Sequence, residues 1–447
     1  MHRTLPTIAA PPSNRSAAGS RVRLLVVAAA IGAAMIAIRV FASSIDPVDF
    51  LVYRYGAALA AHGGDIYAAD ITGDGLPGLP FTYPPFAAIA LLPTTLGTWR
   101  LASVLWSAAT VAVLAWVVYR ALPARWRAPA PYAAALLAAG STTVIGQHLD
   151  FGQINVLLMG LVLADLYRRD DSRLGRALPR GVLVGVAAAI KLTPALFIVF
   201  FLVTRQWRPA GFAALGFAAA TAIGAIVYPA MSMDFWTQVI FTLSDRVDLG
   251  DLFTTSGNNS ISGSLTAAGA PTALTAAAVL IAAVASLWAA RHAFRAGRTV
   301  DSWLIVGLGA TLVSPVSWIH HWVYLVPATV VLIVRHRHRR GLRPVVALVL
   351  LSLAVGPTGG DLLLATGQPL LVLPGLIQRE CLALAAAAAI VLLARGVDND
   401  LRRWRAVDEK PSRGDAGIRR PRSVFFSTHA MSIFRAGRRP PVVRGGV

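Results

Sequence analysis

The chain of 447 residues has little cysteine, little lysine and little charge. Its single cysteine, Cys381, excludes an intramolecular disulfide and any metal site built from several cysteines. Lys191 and Lys410 are the two lysines, so arginine supplies almost all of the basic charge. Charged residues make up 14% of the chain and hydrophobic residues 56%. A water-soluble core cannot hide so much apolar surface, which predicts an all-α polytopic membrane protein.

Arginine lies beside the apolar runs, so the formal net charge of +20 indicates membrane orientation rather than nucleic-acid binding. Hydropathy predicts about twelve spans, several of them shorter than the roughly 20 residues of a straight span. The Pro84–Leu96 stretch, with three prolines, is predicted to be interfacial or re-entrant. With this stretch left out, the Arg-rich loops alternate onto one side together with both termini. The positive-inside rule makes that side the cytoplasm.

Three segments follow from this topology. Residues 1–23 are predicted to be a cytoplasmic N-terminal segment. Residues 24–394 are predicted to form the transmembrane domain, and its first apolar run is long enough to be a retained helix rather than a cleaved signal peptide. Residues 395–447, rich in Arg, Pro, Gly and Ser, are predicted to be a disordered cytoplasmic tail. The protein is therefore expected in the plasma membrane.

The long loop after the first apolar run is acidic, with five Asp against one Arg between residues 43 and 99. Loops this long are commonly functional. Asp46 and Asp49 are three residues apart, so on a short helix they would share a face. A carboxylate in a partly dry site gains proton affinity and can act as a general base, the role predicted for Asp49. The other acidic residues of the loop are expected only to keep it soluble.

Basic side chains form a second candidate group on the same predicted face. Lys191 lies at a break between two apolar runs, where an ammonium group is suited to bind phosphate. The alternative is a lysine that only anchors a helix end. His320 and His321 lie between two tryptophans, and either could donate to phosphate. The alternative for one of them is an interfacial aromatic belt. The unusual polar motifs all fall on the face opposite the Arg-rich loops, which predicts one extracytoplasmic cavity.

Six motifs in order resemble the polytopic mannosyltransferases of actinobacteria that use polyprenol-phosphate-mannose, glycosyltransferase family 87 of the GT-C type. They are Val48-Asp-Phe-Leu-Val-Tyr53, Pro80-Phe-Thr-Tyr-Pro-Pro-Phe-Ala87, Asp150-Phe-Gly-Gln-Ile-Asn-Val-Leu-Leu-Met159, Lys191-Leu-Thr-Pro194, Asn258-Asn-Ser260 and Ser314-Pro-Val-Ser-Trp-Ile-His-His-Trp322. The resemblance covers about residues 46–327, and the Asn258 motif departs slightly from the Asn-Gln-Ser expected there.

The resemblance implies a GT-C-type helical bundle with a long first outer loop and an inverting transfer of mannose in α-1,2 linkage. It implies that Asp49 is the catalytic base, with Asp46 secondary. It also implies donor phosphate or substrate binding by a larger group: Tyr83, Asp150, Gln153, Lys191, Asn258, His320 and His321. The implied partners are polyprenol-phosphate-mannose, a lipid-linked mannoside acceptor and membrane lipid, without nucleic acid.

Because a Lys or His can neutralise the phosphate that leaves, no metal or other cofactor is expected. The acceptor stays open between phosphatidylinositol mannosides and lipomannan. Two alternatives remain, a flippase or transporter of lipid-linked sugars and an arabinosyltransferase of the same fold. A transporter would place ionisable groups along a path to both faces, whereas the motifs here lie on one predicted face.

Overall fold

The computed structural model describes residues 14–42, 46–74, 76–168, 173–246, 257–336 and 340–396. Residues 397–447 of the predicted tail and the first thirteen residues lie outside this range. The described residues are almost entirely helical, which confirms the predicted all-α class. Their strands are β1 (Ile71–Gly73) and β2 (Leu76–Leu79), an antiparallel pair within the acidic loop.

The first half of the chain begins with a long helix, continues through the acidic loop and then forms a series of shorter helices. Its helices are α1 (Asn14–Ala42), α2 (Val48–Ala61), α3 (Pro85–Leu91), α4 (Trp99–Ala121), α5 (Pro129–Gly140), α6 (Thr143–Asp150), α7 (Asn155–Tyr167), α8 (Arg173–Ala177), α9 (Val182–Ile190), α10 (Leu196–Val203) and α11 (Trp207–Val227). The Pro84–Leu96 stretch forms α3 and a following 3₁₀ turn, too short to span a bilayer straight.

The second half contains a central buried helix, α16, and a C-terminal group of helices. Its helices are α12 (Pro229–Thr237), α13 (Leu243–Arg246), α14 (Ile261–Ala267), α15 (Thr272–Arg295), α16 (Thr299–Val313), α17 (Leu325–His336), α18 (Arg343–Val355), α19 (Thr358–Ala365), α20 (Pro369–Arg379) and α21 (Cys381–Arg395). Every residue of α16 from Asp301 to Leu312 is buried.

Four helices in the described residues are long and apolar enough to cross a membrane, namely residues 21–41 of α1 together with α4, α11 and α15. Three bent helix pairs raise the number to seven if each pair is one span. The protein is therefore a helical membrane protein, while the predicted number of twelve spans stays a prediction. The pair α6 and α7 bends by 112°, and this bend forms part of the site described below.

Glycines bring α9 close to α11. A Cβ built on Gly185 would lie 2.1 Å from the carbonyl oxygen of Ala213, and one on Gly181 would lie 2.1 Å from that of Pro209. Small residues four apart allow helix backbones to approach at this distance in membranes. The contact fixes α9 against α11 and thereby sets the position of Lys191, which immediately follows α9.

Candidate active site

The turn between α6 and α7 packs against the start of α2. The backbone N–H of Phe50 donates to the carbonyl oxygen of Phe151 over 3.1 Å. Gly152 has φ +67°, and a Cβ there would lie 2.6 Å from the Cβ of Phe50. The position therefore needs glycine for its left-handed backbone and for the close approach. This contact brings Asp49, in the first turn of α2, beside Gln153.

Gln153 is the centre of a chain of hydrogen bonds. Its Oε1 accepts the Tyr53 hydroxyl at 3.3 Å and the Asn155 side-chain amide at 3.0 Å. Because Tyr53 donates to Gln153, its oxygen accepts the Tyr83 hydroxyl, 2.9 Å away. With Oε1 used twice, the Nε2 amide is the donor that Gln153 has left for the Asp49 carboxylate, whose ionised form it favours. One buried amide thus orients the candidate base.

The chain of hydrogen bonds continues from Asn155 to Lys191, the predicted cation. Lys191 Nζ donates to Asn155 Oδ1 at 2.9 Å and lies 3.3 Å from His321 Nε2. The ammonium also lies 5.3 Å from the centre of the Tyr83 ring, within cation–π range. In the described part of the chain, no carboxylate forms an ion pair with Lys191. Its charge is held by neutral partners and is free to meet an anion.

Asp49 lies on α2, outside the candidate spans. Removal of solvent around the carboxylate raises the pKa of Asp49 to about 6, against the opposing effects of the Gln153 hydrogen bond and the Lys191 charge. A carboxylate of this pKa is ionised at neutral pH and is a stronger base than a solvated aspartate. Asp49 therefore has the properties that proton abstraction from a hydroxyl requires.

A pocket opens beside Lys191 and His321. Its polar lining includes Thr311 and Ser317, and its apolar lining includes Phe197. A cation beside both hydroxyl groups and apolar walls matches a ligand with a polar head and a hydrocarbon part. In the described residues no cluster of three or more His, Cys, Asp or Glu side chains could hold a metal ion.

Five of the nine predicted site residues come together: Asp49, Tyr83, Gln153, Lys191 and His321. Two carboxylates are placed apart from this group. Asp46 is exposed, and Asp150 Oδ1 lies 4.0 Å from Arg39 Nε rather than beside Lys191. Their predicted roles stay predictions.

The other two residues are held by the protein itself. His320 is 5% exposed, and its ring packs edge-on against Phe151. Asn258 Oδ1 accepts the backbone N–H groups of Ser260 and Ser317, while its amide donates to the Pro315 carbonyl. Asn258 thus fastens the loop that carries His321, and its predicted contact with the donor stays a prediction.

The sequence did not single out Tyr53 or Asn155. Both fall inside motifs that were recognised, Tyr53 on the buried face of α2 and Asn155 at the first position of α7. Their roles depend on hydrogen bonds to residues 100 and 36 positions away in the chain. The signal in the sequence was a polar residue at the start of an apolar run, which is only a weak indication of a site residue.

Comparison with known proteins adds a family and two enzymes of related sequence. The model of glycosyltransferase family 87 matches residues 81–315. A polyprenol-phosphate-mannose-dependent alpha-(1-2)-phosphatidylinositol mannoside mannosyltransferase of Mycobacterium tuberculosis is 35% identical over 77% of this chain and 83% of its own length. A phosphatidylinositol pentamannoside mannosyltransferase from the same species, also named polyprenol-phosphate-mannose-dependent and alpha-(1-2), is 32% identical over 73% of this chain and 74% of its own.

One solved structure, ArnT from Cupriavidus metallidurans bound to undecaprenyl phosphate, is similar over 83% of this chain and 77% of that chain. The TM-score is 0.40 and the sequence identity 16%.

Proposed function

This chain belongs to glycosyltransferase family 87, and we propose that it transfers mannose from polyprenol-phosphate-mannose to a hydroxyl of a phosphatidylinositol mannoside in α-1,2 linkage. The names of the two mycobacterial relatives support this donor, acceptor class and linkage. The observation that carries the proposal is structural. A single amide, Gln153, favours the ionised form of the base Asp49 and, through Asn155, connects it to the cation Lys191.

Such a transfer removes a proton from the acceptor hydroxyl and leaves negative charge on the donor phosphate. A base and a cation joined in this way match these two requirements. Asp49 takes the proton of the acceptor hydroxyl, and the oxygen attacks the anomeric carbon of mannose as the bond from that carbon to the phosphate oxygen breaks. The electron pair of that bond leaves with the lipid phosphate. Lys191 then neutralises the charge that develops on the phosphate, and His321, 3.3 Å from Lys191 Nζ, can donate a hydrogen bond to it. Attack opposite the leaving group inverts the anomeric configuration from β to α.

The opposite ends of the same helices support an enzyme over a transporter. Asp301 on α16 is bound by Arg335 at 2.6 and 2.8 Å, and Asp165 on α7 by Arg168 and two backbone N–H groups. Between the two ends, α16 is buried throughout. A transporter needs ionisable groups accessible from both faces in turn, whereas the charges at this second end are already satisfied within the protein.

We further propose that the site faces the extracytoplasmic side and that both termini are cytoplasmic, because the Arg-rich loops lie at the opposite helix ends. Single-cysteine labelling in a Cys381→Ser background tests this orientation. Thr72→Cys, in the exposed β1 strand, should react with an impermeant thiol reagent on intact cells. Ala296→Cys, at the exposed end of α15, should react only after permeabilisation. The reverse pattern would contradict both the orientation and an extracytoplasmic active site.

The activity itself is tested with purified protein, radiolabelled polyprenol-phosphate-mannose and a panel of phosphatidylinositol mannosides that differ in mannose number. Lipomannan and an arabinose-linked polyprenol phosphate serve as competing acceptor and donor. Transfer of mannose to one member of the panel, with a product sensitive to α-1,2-mannosidase, is the expected result. Transfer of arabinose alone, or movement of the donor across vesicles without any transfer, would overturn the proposal in favour of the corresponding alternative.

A further inference from the structure

His148, on α6, is a fully buried histidine next to the active-site turn. Its ring Nε2 accepts the backbone N–H of Val156 at 2.9 Å. Its own carbonyl oxygen accepts the backbone N–H of Gln153, also at 2.9 Å. One residue therefore holds two points of the turn, one on each side of Asn155.

The bond to Val156 is an unusual helix cap. The first N–H groups of a helix lack partners within the helix and are commonly satisfied by Ser, Thr, Asp or Asn side chains. The N-cap residue of helix α7 is Ile154, whose side chain makes no cap hydrogen bond. The imidazole of His148 supplies the missing acceptor from eight residues away in the chain. The first turn of α7 is thus fixed to α6 across the 112° bend.

At this turn, α7 carries the residue that contacts the Lys191 ammonium group. Asn155 is its first residue, and the Asn155 side chain binds both Gln153 and Lys191. If the Val156 N–H lost its acceptor, the first turn of α7 would fray and Asn155 would no longer be held at hydrogen-bond distance from Lys191. The bond to His148 lies one residue from this contact, and neither His148 nor Val156 lines the pocket.

We propose that His148 is a positioning residue: its imidazole caps α7 and so holds Asn155 and Gln153 where they join Lys191 to Asp49. The role rests on the proposed function, because it concerns the site of that transfer. It differs from simple filling of the core, for which an apolar side chain of similar size would serve as well. The capping role requires a hydrogen-bond acceptor at the position of Nε2.

Three substitutions separate the two roles. Gln reaches the position of Nε2 with an acceptor, Asn has the same chemistry but is too short, and Leu fills the space without an acceptor. His148→Leu and His148→Asn should raise the donor KM at least tenfold and lower kcat, while His148→Gln stays within about threefold of the wild type. A matched control is His336→Leu, which alters another buried histidine at the far end of α17 and should leave the donor KM unchanged.

A second measurement does not depend on catalysis. Amide hydrogen exchange followed by mass spectrometry should show faster exchange in peptides covering Val156 for His148→Leu and His148→Asn, and protection near the wild-type level for His148→Gln. If His148→Leu does not fold, the Gln and Asn pair decides the question by itself.

Wild-type kinetics and protection in both His148→Asn and His148→Leu would overturn the inference. So would an equal loss in the Gln and Asn variants, because that would mean an imidazole is needed for some other reason. A wild-type enzyme that transfers no mannose, but whose Val156 amide depends on His148 as expected, would count against the proposed function alone.

Discussion

Helices α7, α9 and α16 have two common ends that differ in chemistry. The first end carries Asn155, Lys191 and Thr311, and the second end carries Asp165, Gly181 and Asp301. The second end is closed by matched charges: Arg335 binds Asp301 through two nitrogens, and Asp165 accepts two backbone N–H groups in addition to its arginine. The first end has a lysine with neutral partners and a carboxylate that meets an amide.

The difference separates a structural end of these helices from the end that carries the proposed site, called the reactive end below. Buried carboxylates bound by arginine have their charge fully used inside the protein and have little left for a ligand. Lys191 and Asp49 keep theirs, held in place by Gln153 and Asn155 rather than by each other. An ion pair between them would have to be broken when substrate binds. Neutral amides orient both groups without that cost.

The largest effect is expected from a substitution of the proposed base, Asp49. Asp49→Asn keeps the size of the side chain and removes its basicity, so turnover should fall by about 10² to 10⁴-fold, the usual contribution of general-base catalysis. Donor binding should persist because Lys191 is untouched. Initial rates and equilibrium binding of polyprenol-phosphate-mannose measure the two effects separately. The control is Asp46→Asn, at an exposed carboxylate, which should cost much less. Transfer within a few-fold of the wild type by Asp49→Asn would move the assignment to Asp46 or Asp150.

The matching change at the structural end should affect stability and leave chemistry intact. Asp301→Asn leaves the Arg335 guanidinium without its buried partner. The cost should be roughly 3 kcal/mol, the lower part of the range for a broken buried pair, because water can reach part of Arg335. Thermal denaturation in detergent should show a clear loss, while kcat and KM of the folded fraction stay at wild-type values. A variant of normal stability with impaired donor KM would mean that the two ends are not separate in function.

Sequence patterns could predict several of the residues that lie together at the proposed site. A lysine in an arginine-rich chain, an acidic loop and a motif with His beside Trp are compositional anomalies, and the structure brings Asp49, Lys191 and His321 together. The helical membrane class followed from hydropathy alone. The patterns could not show that Asn258 bonds to backbone, because this depends on where a distant loop lies.

The helix bends were also beyond what sequence could predict. Hydropathy predicts apolar runs from Pro131 to Gln147 and from Ile154 to Tyr167. It contains no information on the 112° bend between the helices Thr143–Asp150 and Asn155–Tyr167. The angle is fixed by tertiary contacts, among them the Gly152 contact with Phe50 and the bond of His148 to Val156. For the same reason the spans could not be counted from apolar length alone, because short and broken helices do not each correspond to one crossing.

A smaller effect is expected when the cation is removed. Lys191→Met keeps an apolar stem of similar length and removes the charge, so the donor KM should rise about 10- to 100-fold, the equivalent of one hydrogen bond to a charged group. The acceptor KM should change far less. Steady-state kinetics with each substrate varied in turn give both values, and Lys191→Arg reports whether any positive charge suffices. An unchanged donor KM in a well-folded Lys191→Met protein would reduce Lys191 to a helix anchor.

The smallest expected effect is a shift in the pH dependence of the rate, which tests how the Gln153 amide changes the pKa of Asp49. Asp49 must be ionised to accept a proton, and its pKa of about 6 places the acidic limb of the pH–rate profile there, with activity at pH 5 about tenfold below the plateau. The Gln153 hydrogen bond favours the ionised carboxylate. Gln153→Leu should therefore raise the pKa of Asp49 and move the limb to higher pH, in addition to any loss of rate.

The control for this shift is a change at the structural end. Asp301→Asn should leave the limb where it is, because its site is at the other end of α16 and its carboxylate takes no part in the transfer. Profiles of kcat/KM for the donor, measured from pH 4.5 to 8 at saturating acceptor, give the limb for each protein. A limb that stays in place or moves to lower pH in Gln153→Leu would show that the amide does not hold Asp49 in its ionised form. The base would then be oriented by the fold of α2 alone.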